Sequence, residues 1–164
     1  MSTVHSRDLE GKSIISATDG QIIAKVDDVM VDPAALRVAA LVTSKGGLLR
    51  REVKLIPSDR VQVWGQDVIL VDQPDVIVKR DELPHTEEWL AVSGQLRGRD
   101  VVSTEGTRIG QLEDIVLDSN GELVSYDLGQ VFVKDPQLQS KWIPARATRS
   151  LGQDVLIVDT TQME

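Results

Sequence analysis

Two equally spaced aspartate pairs, Asp28/Asp32 and Asp114/Asp118, come nearest to a metal-site pattern in this sequence. On an extended strand, side chains four residues apart are separated by about 13 Å at ~3.3 Å per residue. Two ligands of one calcium or magnesium ion lie within about 5 Å of each other. One strand cannot supply both unless a neighbour adds a third carboxylate, so solvated carboxylates or turn acceptors are expected and no metal or other cofactor is assigned. His5 and His85 are the only histidines, cysteine is absent, and nothing places a nucleophile beside either ring, so no catalytic residue is assigned and an enzyme is not expected. Glu10-Gly11-Lys12-Ser13 has the ending of a phosphate-binding loop, but Ser6 stands where that motif needs glycine. The stretch also opens a hairpin rather than a helix, which makes it a turn.

Lys45, Arg50, Arg51 and Lys54 form the one basic cluster. It reads either as a charged edge strand that discourages sheet-to-sheet aggregation or as a patch for phosphate or an acidic protein surface. The chain carries 18 basic and 26 acidic residues, a net charge of −8, and three Trp, one Tyr and one Phe. Net negative charge repels a phosphate backbone, and few rings are available to stack bases, so nucleic acid is disfavoured as a partner.

The elements that must position these residues come in two copies. Gly65-Gln66-Asp67-Val68-Ile69-Leu70-Val71-Asp72 returns 87 residues later as Gly152-Gln153-Asp154-Val155-Leu156-Ile157-Val158-Asp159, with six of eight positions identical. Each is a turn followed by a short apolar strand, so one fold is written twice. With 41% hydrophobic but only 3% aromatic residues, the interiors must be Val, Ile and Leu, a bias toward strands. In the first copy a strand ending at Ser16, an Asp19-Gly20 hairpin turn and a strand over 21–32 come in sequence. The apolar phase of that strand slips at Asp27-Asp28, where a β-bulge is expected. Strands over 38–43 and 48–56, one helical turn at Pro57-Ser58-Asp59 and the closing strand complete about six strands, a small antiparallel barrel. The second copy repeats the slip at Glu113-Asp114, has an Asn120-Gly121 turn, and diverges most over 128–142.

The spacing predicts an N-terminal arm over 1–8, barrels over 9–78 and 96–160, a linker over 79–95 and a tail over 161–164. The fold class is all-β: two tandem small antiparallel barrels, joined by a linker with at most a short helical turn. That turn is placed at 86–90 with Thr86 as cap, and Trp89 is expected to pin the linker to a barrel.

The order Leu-x-Gly-Lys/Arg, a glycine turn, an Asp-x-x-x-Asp strand, Ile-Pro and the closing strand resembles the PRC-barrel family. It is carried first by Leu9, Gly11, Lys12, Gly20, Asp28, Asp32, Ile56 and Pro57, and again by Leu96, Gly98, Arg99, Gly106, Asp114, Asp118, Ile143 and Pro144. The family is named for the cytoplasmic domain of the photosynthetic reaction-centre H subunit and includes the C-terminal domain of a ribosome maturation factor. The resemblance implies a non-catalytic interaction or scaffold protein, associated with a larger complex such as a photosynthetic one. The alternatives are a ribosome- or RNA-processing-associated adaptor and a small-ligand or metal sensor.

A protein partner is expected, a homodimer being one form of it. The longest apolar run, 38–42, is far short of a membrane span, and a cytoplasmic protein is expected. Val68-Ile69-Leu70-Val71 and Val155-Leu156-Ile157-Val158 are apolar on both parities, which predicts that their outward residues, Val68, Leu70, Val155 and Ile157, are covered. The expectation is that the two copies pack through these strands, with Val76-Ile77-Val78 alongside. Phe132 and Trp142, at the divergent loop over 129–141, complete the candidate interaction residues.

Overall fold

The computed structural model describes residues 2–44 and 52–163. Strand β1 (Thr3–His5) and a single helical turn, α1 (Ser6–Leu9), precede the first copy. That copy runs β2 (Ser13–Ser16), β3 (Ile22–Lys25), β4 (Asp28–Asp32), β5 (Arg37–Ser44), β6 (Lys54–Pro57), β7 (Val61–Trp64) and β8 (Ile69–Val71). Two short strands, β9 (Val78–Lys79) and β10 (Leu90–Ala91), lie between the copies. The second copy has β11 (Asp100–Ser103), β12 (Arg108–Asp118), β13 (Leu123–Val131), β14 (Trp142–Pro144), β15 (Thr148–Leu151) and β16 (Leu156–Val158).

The second copy forms one sheet, ordered β14-β13-β12-β11-β16-β15. β12 stays continuous because its ladder to β13 skips Glu113, the extra residue the sequence phase requires. In the first copy the same place interrupts the strand between Lys25 and Asp28 and divides the copy into two sheets, β10-β4-β5-β6-β9 and β3-β2-β8-β7.

The expectation of purely antiparallel barrels needs correction. β2 pairs with β8, and β11 with β16, in parallel. The cause is the helical turn after each Ile-Pro, Ser58–Arg60 and Ala145–Ala147. It carries the chain onward instead of reversing it, so the final hairpin delivers the closing strand in the same sense as the first. The ladder is open at that turn, where β14 and β15 end the sheet path and only the chain joins them.

The copies do not enclose separate interiors. One buried cluster includes Leu9, Ile14, Val29, Leu41, Ile56 and Ile69 of the first copy together with Leu96, Val101, Ile115, Tyr126, Ile143 and Leu156 of the second. Each such aliphatic side chain contributes about 1.5–3 kcal/mol when fully buried.

Nor do the closing strands join the halves. Val68, Leu70, Val155 and Ile157 are half-buried, and β8 and β16 pair only within their own copies. The halves meet instead through β4, β12 and the segments that precede each copy. The reason is hydrogen bonding: β8 and β16 already have a neighbour on each side, whereas β4 and β12 have backbone groups to offer to β10 and β1.

Between the copies the chain is not a free linker. β9 adds to β6, Val76 is buried in the main core, and 86–90 forms a hydrogen-bonded turn rather than a helical one, Trp89 N–H donating to Thr86 O at 3.1 Å. Trp89 packs with Leu83 and Ala91 on a second small cluster of Met30, Ala40, Val42 and Leu55, and so pins the linker to the first copy.

Candidate functional site

The aspartates read as solvated or turn-capping take two different roles. Asp32 and Asp118 accept from turn N–H groups, Asp32 from Ala34 at 3.0 Å and Asp118 from Asn120 at 2.8 Å. Asp28 and Asp114 are only 2% and 0% exposed, which corrects the solvated reading for these two. A buried carboxylate needs compensating donors. Beside the N–H of the next residue, Val29 for Asp28 at 2.8 Å and Ile115 for Asp114, they come from the segment that precedes the other copy. The Ser93 hydroxyl donates to Asp28 Oδ2 at 2.5 Å and its N–H to Oδ1 at 3.2 Å. The Ser6 hydroxyl donates to Asp114 Oδ1, and the Arg7 N–H to Oδ2 at 3.1 Å.

These are two halves of one reciprocal clasp. β1 lies antiparallel on β12, with Val4 opposite Leu117, and β10 lies on β4, with Leu90 opposite Val31. The segment before each copy thus adds a strand to the other copy and delivers a serine to its buried aspartate. Immediately after each serine-bearing turn, Gly11 (φ 85°) and Gly98 (φ 86°) take the left-handed conformation that starts the first barrel strand. A repeat that starts at Leu9 and Leu96 does not include this pairing. Extended three residues upstream, Ser6-x-x-Leu9-x-Gly11 matches Ser93-x-x-Leu96-x-Gly98.

The second clasp is the more charged. Arg7 Nε lies 3.2 Å from Asp114 Oδ2 and Arg97 Nη2 lies 3.5 Å from Oδ1. Burial pushes the Asp114 carboxyl up, but the Ser6 hydroxyl, the Arg7 and Ile115 N–H groups and the Arg7 guanidinium outweigh it and hold the group below its ordinary value. Arg97 also pairs with Glu10 at 2.9 Å. His5 Nε2 stands 2.7 Å from Asp127 Oδ2 on the outer face of the second copy. A further bridge joins the β4–β5 and β12–β13 hairpins: Val38 N–H donates to Gly121 O at 2.8 Å and Leu123 N–H to Leu36 O at 3.0 Å. Gly121 has φ 78°, and a Cβ there would lie 3.0 Å from the Trp64 ring, so a side chain would strain the backbone and push on that ring.

The remaining candidates are scattered. Lys45, Arg50 and Arg51 lie outside the described residues. Lys54 is exposed at the start of β6, opposite Lys79. Phe132 and Trp142 are each 44% exposed. Trp142 faces Asp127 across the β13–β14 ladder, so Phe132, five residues further along, is about 16 Å away at ~3.3 Å per residue. Arg108 lies over the Phe132 ring, 4.6 Å from its centroid, a contact worth about 0.5–1 kcal/mol at an exposed site. Among the described residues, no three His, Asp or Glu side chains gather closely enough to hold a metal ion.

The doubled strand order, the parallel first-to-last pairing and the paired clasps describe one module used twice. The family model for the PRC-barrel domain matches residues 1–77 and again 93–163. The chain belongs to the PRC-barrel family. Both matches begin upstream of the first barrel strand and so take in the serine-bearing turns that carry the clasp. No curated protein matches the chain. No helix among the described residues is long and apolar enough to cross a membrane.

Proposed function

We propose that this tandem PRC-barrel chain is a non-catalytic interaction module, a rigid scaffold that holds one docking face in fixed relation to the rest of a larger assembly. The observation that carries this reading is the exposure of Trp142 on the second copy, where its counterpart in the first copy, Leu55, is wholly buried. Large exposed aromatic rings are the residues that anchor protein interfaces. The buried polar groups support the same reading, because Asp28 and Asp114 are engaged in holding the copies together rather than turned toward a substrate. Rigidity follows from the shared core and the two clasps, since a preorganised face loses little entropy on binding.

The test is affinity capture with the full chain from its native host, comparing wild type with Trp142→Ser and Phe132→Ser. The expected result is a protein partner retained by wild type, lost with Trp142→Ser, and held through a rise in salt. Retention that collapses with salt and carries RNA would instead favour the adaptor reading. Turnover of a substrate by the purified chain would overturn the non-catalytic one.

A further inference from the structure

We propose that the outer edge of β14 takes an extended segment of a partner protein as an added antiparallel strand, with an apolar side chain seated on Trp142 and a carboxylate set against Lys141. This rests on the interaction-module reading above and gives the partner a chemistry.

The first copy shows what this position accepts. Lys54-Leu55-Ile56-Pro57 and Lys141-Trp142-Ile143-Pro144 are the same stretch of the repeat. Their registers agree from the second residue onward, because Leu55 faces Val42, which faces Asp28, while Trp142 faces Asp127, which faces Asp114; Lys141 stands just before β14 with φ 59°. On β6 the outer edge is filled by the chain itself. Val78 pairs with Leu55, Lys79 with Lys54, and Arg80 N–H donates to Val53 O at 2.9 Å. Leu83, Trp89 and Ala91 then cover the face that contains Leu55. On β14 the same edge ends the sheet among the described residues, and Trp142 is left open to solvent. Unpaired strand edges with exposed apolar side chains are sites of strand addition.

The charges specify the occupant further. Beside this edge a cleft of about 470 Å³ has apolar walls of Val131, Val133, Pro136 and Leu138 and carries two lysines, Lys134 and Lys141, against one carboxylate, Asp135, which already accepts from the Gln137 N–H at 2.9 Å. Among the described residues neither lysine is within ion-pair reach of a carboxylate. In the first copy the added strand places Lys79 beside Glu52, 3.4 Å away. The residue that corresponds to Glu52 is Gln139, so a lysine at that place would meet Lys141 with no acid to balance it. An acidic residue there is complementary instead.

The test uses the full 15N-labelled chain and two capped heptapeptides. One is Asp-Val-Ile-Val-Glu-Arg-Asp, this chain's own 75–81 sequence with glutamate in place of lysine. The other keeps the lysine. Expected are amide shifts confined to 127–131 and 141–144, about tenfold tighter binding of the glutamate peptide, loss of binding in Trp142→Ser, and a reversed preference in Lys141→Glu. Each variant's own spectrum verifies that it is folded. No shift at β14 with millimolar peptide, shifts elsewhere, or equal binding by Trp142→Ser overturns the proposal. So does a concentration-dependent doubling of mass that Trp142→Ser abolishes, which would assign the edge to a second copy of this chain. A partner protein captured equally by wild type and Trp142→Ser overturns this site and leaves the interaction-module reading standing.

Discussion

The two clasps share a serine–aspartate hydrogen bond and differ in the charge around it. At Asp114 the guanidinium groups of Arg7 and Arg97 stand beside the carboxylate. The corresponding positions in the other clasp are Gly94 and Glu10. Glu10 and Arg97 occupy the same place in the repeat and pair with each other, so they mark the approximate two-fold axis between the copies. The lesson is that the repeat keeps the hydrogen bond that fixes geometry and varies the charges around it.

The sharpest way to break this comparison is to remove each aspartate in turn. Asp114→Ala leaves a buried hydroxyl without its acceptor and takes the buried carboxylate from two arginines that keep only Glu113 and Glu10, and it should lower unfolding free energy by about 3 kcal/mol. Asp28→Ala strands the Ser93 hydroxyl and N–H and should cost about 2 kcal/mol. Denaturant unfolding midpoints with unchanged m-values check both. Equal losses would mean that Arg7 and Arg97 contribute nothing beyond the hydrogen bonds.

The outer faces differ more than the clasps. Trp89 covers apolar Met30, Ala40, Val42 and Leu55, whereas the second copy places Asp127 and Trp142 at the positions of Val42 and Leu55. Trp89→Ala should therefore cost about 2 kcal/mol, less than a fully buried Trp because the ring is half-buried. Trp142→Ala should change stability by no more than about 0.5 kcal/mol. Thermal melts of the two variants side by side read the difference, and a large loss from Trp142→Ala would show that its face is already occupied within the chain.

Much of the fold was legible in the residues. The duplicated closing strand, the Asp19-Gly20 and Asn120-Gly121 turns and the phase slip at Glu113-Asp114 each have a local cause, and each is present in the structure. The clasp was not legible, because it depends on contacts 108 residues apart for Ser6 and 65 apart for Ser93. A lone serine before a Leu-x-Gly turn has no local property that marks it as a partner for a distant carboxylate. Parallel pairing was hidden for a similar reason. Pro57-Ser58-Asp59 reads as a helical turn, but composition does not say whether such a turn reverses the chain or carries it onward. The open face was legible only by comparison, since Trp142 becomes notable once Leu55 is seen at the same place and buried.

Smaller effects sharpen the clasp comparison. Ser6→Ala and Ser93→Ala each remove one donor to a buried carboxylate and should cost about 1–2 kcal/mol. Unequal losses would show which clasp leans more on its hydroxyl. The pH dependence separates charge from geometry and gives the smallest signal, because burial opposes the donors at Asp114. Its folded-state pKa lies below the ordinary value of 3.8, so the folded protein binds fewer protons there than the unfolded chain. That stability is fully present above the unfolded pKa and is lost as pH falls through the lower folded pKa. In Asp114→Asn the side chain no longer titrates, yet an oxygen remains to accept from Ser6. Stability followed by urea unfolding from pH 6 downward should then fall less steeply below about pH 4 than in wild type. A slope that stays unchanged in Asp114→Asn would place the acid sensitivity in other carboxylates and leave the Ser6 clasp held by geometry alone.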